Sequence, residues 1–229
     1  QAYQRIDAGT DLTVGTGALL TAGQVQFGAR DDRFTIAGNF AGNADGGAGS
    51  DTIAFADTAP VTIGGAITGF ERIALAGNAL TVSGTLGTPG DTLAFSDGAQ
   101  ALTVASGGTL AGTIDLGSGD DTLRLAAGSI LNGTVLGGAG TDSATLALAG
   151  NRTLAGDQLA GFELLTTEGS GTLTLAGTQA YQRVVAGTDL AIDSGASLTA
   201  GQVQFGARDD RFTVAGRFVG NADGGAGSD

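Results

Sequence analysis

Residues 1–51 return almost unchanged at 179–229, an offset of 178. QAYQRIDAGTDLTVGTGALLTAGQVQFGARDDRFTIAGNFAGNADGGAGSD becomes QAYQRVVAGTDLAIDSGASLTAGQVQFGARDDRFTVAGRFVGNADGGAGSD, with ten differences and 41 of 51 positions identical. This closeness marks a recent tandem duplication, and it constrains the fold strongly, because every unit must join onto a copy of itself. A fainter repeat lies inside. GGAGSDTIAF at 46–55 leads to GFERIALAG at 69–77, and GGAGTDSATL at 137–146 leads to GFELLTTEG at 161–169. A Thr/Leu run then closes each, ALTVSG at 79–84 and GTLTLAG at 171–177. Residues 1–178 therefore read as one full unit of two half-repeats of about 90 residues, and 179–229 as the start of the next unit. Beginning in mid-repeat at Gln1, the chain reads as a piece of a longer one.

Short segments such as DRFTIAG, DTIAFA, ERIALAG, DTLRLAAG and TLALAG alternate apolar residues with Thr, Ala or Arg, the period of a β-strand. No segment carries a sustained helical stripe. Asp-bearing turns recur at coil-like distances, 19 residues from Asp32 to Asp51 and 21 from Asp121 to Asp142. Coils of about 20 residues, with Gly supplying positive φ at tight corners, point to an all-β fold: a right-handed parallel β-helix, or β-solenoid, built from tandem repeats. At roughly 4.8 Å per coil, a unit of about nine coils advances roughly 43 Å. Ile36 and its copy Val214, and Val14 and its copy Ile192, are expected in the core; Arg217 and Ser197, which replace Asn39 and Leu19, are expected at exposed or marginal sites.

Composition removes several function classes. The chain has no Cys, His, Met or Trp, which excludes thiol nucleophiles, Ser-His-Asp triads and the common zinc, copper and haem ligand sets. A net charge of −13 argues against nucleic acid and against an anionic membrane surface. No apolar run approaches the roughly 18 residues of a spanning helix.

The succession GGAG-x-D-(T/S), GFE-x-(L/I) and Thr-Leu alternation, found twice in 46–177 and opening again at 224–229, resembles the passenger regions of bacterial type V secreted proteins, the autotransporters and related adhesins. The resemblance implies an exported β-helix at the bacterial cell surface, serving adhesion, biofilm formation or a surface layer. Its partners would be neighbouring repeats of the same chain, further copies of itself, or a host or cell-surface ligand.

Gly46–Ala54 also fits the GGxGxDxUx nonapeptide of RTX proteins, and Leu116–Arg124 fits with one glycine replaced. That resemblance implies calcium held by Asp51 and Asp142, helped by Asp32, Asp120 or Asp121 and by the carbonyls of Gly47 and Gly138. RTX motifs follow one another every nine residues; here they stand about 20 or more apart, and Arg30 occupies a glycine position in FGARDD. The alternative is a tight corner whose Asp bonds its own backbone N–H groups. Stacked acids then need compensation, for which Arg30 and Arg33 stand beside Asp31 and Asp32.

In GFE, Phe70 and Phe162 are expected in the core, with Glu71 and Glu163 at an exposed edge. The Asn132 and Asn151 sequons and the Thr-x-Thr runs carry no functional weight. β-Helical glycan-active enzymes need a carboxylate pair in a groove walled by long loops, with aromatics to hold sugars. Short turns and 5% aromatics argue against one here, so no catalytic residues are expected. The expected function is an extracellular rod segment, with a self-assembling S-layer or filament subunit and a polysaccharide-active enzyme as alternatives.

Overall fold

The computed structural model describes residues 2–77 and 79–229, and the regular elements among them are all β-strands. The strands pair in parallel, most of them with the strand roughly one coil before and the one roughly one coil after. A coil has three faces. Thr52–Phe55, Val61–Ile63 and Ala66–Thr68 form the first, second and third faces of one coil. Arg72–Leu75, Ala79–Val82 and Thr85–Leu86 form the next coil directly upon it.

Alternation decides what points inward. On the second face Leu80, Leu102, Leu123, Ala144, Leu165 and Val184 stand in register, one per coil, and all are buried. Their neighbours Thr81, Thr103, Arg124 and Thr145 form the outward row. One coil has no interior of its own. Each buried Leu is worth about 1.5–3 kcal/mol only because the coils on either side cover it, so the core is one continuous column running the length of the rod.

Coil length is not constant. Paired residues are 17 apart between Leu175 and Ile192 but 24 apart between Leu86 and Leu110. The unequal coils rotate the repeat. Val25 stands on the third face, between Ile6 and Ala44 and below Ile67. Its copy Val203 stands on the second face, between Val184 and Ala222. One unit is therefore about eight and two-thirds coils rather than nine, an advance of roughly 42 Å.

Rotation leaves the local packing intact. Phe27–Phe34 ring centroids are 5.6 Å apart at 47°, and Phe205–Phe212 repeat both values. The edge-on contact of Phe34 with Phe40, 5.0 Å at 82°, returns as Phe212 with Phe218, 5.2 Å at 84°. Val14 and Ile192 are both buried, and Arg217 is exposed as expected. Val214 departs from expectation: it is 46% exposed where Ile36 is 3%. Thr52–Phe55 covers the strand of Ile36, whereas the strand of Val214 ends its column.

Candidate functional site: the acidic corner ladders

The glycine-bearing Asp corners, GGAG-x-D together with FGARDD and LGSGDD, hold the buried charge among the described residues. Asp51, Asp121 and Asp142 are fully buried, and Asp32 and Asp210 nearly so. Each glycine has a mechanical reason. A Cβ on the first glycine of the motif would meet the motif's own Asp: 2.9 Å from Asp51 Cβ at Gly46, 2.8 Å from Asp142 Oδ2 at Gly137 and 2.7 Å from Asp229 Oδ2 at Gly224. The second glycines, Gly47 and Gly138, have φ of 96° and 101° and lie close above the carbonyls of Gly28 and Gly117 one coil below. A side chain at either would be strained and would separate the coils.

With that clearance the acids form ladders between coils. The Asp32 N–H donates to Asp51 Oδ1 at 2.7 Å, and the Asp51 N–H donates to Glu71 Oε2 at 2.6 Å. In the second ladder Gln100 N–H donates to Asp121 Oδ1 at 2.6 Å, Asp121 N–H to Asp142 Oδ1 and Asp142 N–H to Glu163 Oε2, both at 2.7 Å. A third begins with Asp210 N–H donating to Asp229 Oδ1 at 3.0 Å. The Asp doublets also grip in the other direction. Asp31, Asp120 and Asp209 reach up one coil to accept the N–H of Ser50, Thr141 and Ser228, at 2.8, 2.9 and 2.9 Å.

Three expectations change. The corner acids do not mainly bond their own turn: Asp32 and Asp210 accept from Gly28 and Gly206 in their own corners, but the buried Asp51, Asp121 and Asp142 and the exposed Asp229 accept from the coil below. Glu71 and Glu163 are not idle edge residues. They are partly buried and end their ladders by accepting the last Asp N–H. Phe70 and Phe162 do fill the core, at 3% and 2% exposure. Arg30 and Arg33 do not neutralise Asp31 or Asp32. The ion pairs among the described residues are Arg5–Asp7, Arg124–Glu168 and Arg208–Asp210, and only the last touches a ladder, at 4.0 Å. Backbone N–H groups compensate the acids instead.

Compensation is partial. Oδ1 of Asp51, Asp121 and Asp142 is bonded, but Oδ2 of each is buried without a partner. Burial pushes all three carboxyls above the ordinary 3.8; the backbone bond at Oδ1 pulls down, and neighbouring acids push up again, Glu71 on Asp51, Asp142 on Asp121 and Glu163 on Asp142.

The residues singled out for calcium divide between two corners. Asp32, Asp51 and Gly47 lie between the third and first faces, and Asp120, Asp121, Asp142 and Gly138 between the first and second. Carboxylate and carbonyl oxygens suit a hard cation, which takes six to eight of them. Among the described residues, however, no group of three or more acidic side chains converges as a metal shell would require.

The fold and its corners define a parallel β-solenoid with inter-coil acid ladders. Comparison with protein-family models, with curated proteins and with solved structures finds no match. No helix among the described residues is long and apolar enough to cross a membrane.

Proposed function

We propose that this chain is a segment of an extracellular structural and adhesive rod, part of a large repetitive bacterial cell-surface protein. One observation carries the reading: the near-identical unit at 179–229 re-enters the same stack, with the same Phe27–Phe34 and Phe34–Phe40 type contacts and the same Asp-to-Asp rung, one face short of nine full coils. A fold that accepts its own repeat at a new angle is suited to extension. No catalytic role is assigned, because the buried carboxylates are tied to backbone N–H groups at short corners. The test is surface labelling of intact source cells with antibody raised against residues 1–229, together with adhesion of beads coated with the chain. Labelling of intact cells and bead retention support the reading; labelling only after lysis contradicts it.

A second reading adds calcium at the corners and rests on the unpartnered Oδ2 atoms of Asp51, Asp121 and Asp142. Thermal melts with millimolar calcium and with chelator decide it. A higher midpoint with calcium supports the reading, and equal midpoints leave these residues as backbone acceptors alone.

A further inference from the structure

Nine of the ten arginines are exposed, and Arg152 is the half-buried one. It stands where the ladder of the third face is interrupted. Ile130 and Leu131 pair with Thr109 and Leu110 on one side, and Arg152–Leu154 pairs with Thr172–Leu175 on the other. The two segments follow one another on that face, yet no strand pairing joins them among the described residues. Side chains span the break instead: Gln158 Nε2 donates to the Leu131 carbonyl at 3.2 Å, and Arg152 Nη1 donates to Ser129 Oγ at 3.4 Å. The second face runs on unbroken from Ser143–Ala149 to Leu164–Ser170, so the interruption opens one side of the rod without dividing it.

A groove of about 500 Å³ lies along the break, with Ser129, Ile130, Asn151, Arg152 and Thr153 among its walls. Arg5, Arg124 and Arg208 each face an acid, but none pairs with Arg152, whose hydrogen bond to Ser129 is long. Burial holds its guanidinium below the usual arginine value. This cation has given up part of its water without receiving an anion, in a chain of net charge −13. A guanidinium offers a planar fork of N–H donors that fits a carboxylate with two parallel bonds. At the rim, Asn151 Oδ1 accepts the Thr172 N–H at 3.0 Å, which leaves the Asn151 amide N–H groups and the exposed Thr153 hydroxyl for a ligand. Ile130, 45% exposed, adds an apolar wall. We propose that this groove binds a carboxylated sugar, a uronate unit of an acidic glycan: Arg152 clasps the carboxylate, Asn151 and Thr153 bond ring hydroxyls, and Ile130 packs on the C–H face of the ring. A single arginine within an acidic chain selects an isolated carboxylate over a dense polyanion, which the remaining charge repels. The proposal rests on the adhesive reading and names a ligand class for it.

The test follows the arginine Nε–H signals of the 229-residue chain by NMR, with that of Arg152 assigned by its loss in Arg152→Gln. A glucose–glucuronate disaccharide, its neutral methyl ester and an acetylated Gly-Glu-Gly peptide are titrated separately. The disaccharide is expected to shift the Arg152 signal saturably and to bind at least about tenfold more tightly than its ester. Arg152→Gln should abolish binding, and so should Thr153→Glu, which puts an acid at an exposed position of the groove and spares the core. Arg183→Gln, on the second face, should leave binding unchanged. No saturable shift up to about 20 mM, or equal binding by Arg152→Gln and the parent chain, overturns the proposal. Equal binding of acid and ester overturns the carboxylate clasp, and a peptide that binds as tightly as the disaccharide overturns the sugar. Surface labelling of intact cells without disaccharide binding removes this site alone, whereas binding with labelling only after lysis removes the surface-rod reading alone.

Discussion

Asp142 Oδ1 lies 2.7 Å from the backbone N of Asp121, one coil below and 21 residues earlier, and both side chains are fully buried. Two acids are stacked because each lends an oxygen to the backbone beneath it. The N–H of a corner residue faces no strand partner, and leaving it unpaired inside the protein would cost about 1–3 kcal/mol.

Removing that acceptor gives the first prediction. Asp142→Ala should lower stability by about 1–3 kcal/mol, read by urea denaturation. Asp142→Asn keeps an oxygen for Asp121 and removes a buried charge, so it should match the parent chain or exceed it at neutral pH. An Asn variant as damaged as the Ala variant would show that the charge itself is needed, as for a bound cation.

The pH dependence follows with a definite sign. Burial raises the carboxyls of Asp51, Asp121 and Asp142 above 3.8. Between that ordinary value and the raised one the folded chain holds more protons than the unfolded chain, so stability falls as pH rises through the window. The melting midpoint should therefore fall as pH rises from 3.8 through the raised values, and level off above them. Replacing all three by Asn should flatten this profile, whereas general self-repulsion from a net charge of −13 would leave most of the slope.

Corner glycines can be ranked. Gly138→Ala places a Cβ 1.8 Å from the Gly117 carbonyl at a φ of 101°, and should cost more than the roughly 1–2 kcal/mol of a left-handed residue alone. Gly150→Ala, with nothing within 4 Å of its Cβ, should change stability little. Similar losses at both sites would mean that the coils do not approach as closely as described.

Position along the rod should grade the core. Leu102→Ala, fully covered on both sides, should cost about 2–5 kcal/mol, while Val214→Ala at the uncovered end should cost well under 1 kcal/mol by comparison. Denaturation midpoints of the two variants make the check.

The sequence shows much of this, for identifiable reasons. The 19- and 21-residue spacings of Asp32–Asp51 and Asp121–Asp142 equal the local coil lengths, so their stacking was legible. The one-face rotation was not. It depends on the summed lengths of coils that vary from 17 to 24 residues, and no single motif carries that sum. The role of Glu71 is hidden in the sequence because Phe70 alone accounts for GFE as core packing, and a carboxylate receiving a backbone N–H leaves no periodic signature. Its spacing of 20 residues from Asp51, one coil, was the available signal.

Lengthening the chain tests the central claim most directly. Adding one further 178-residue unit and measuring both chains by small-angle scattering and electron microscopy should lengthen the rod by roughly 42 Å at constant cross-section. A thicker particle, or two bodies joined by a flexible link, would contradict a continuous solenoid.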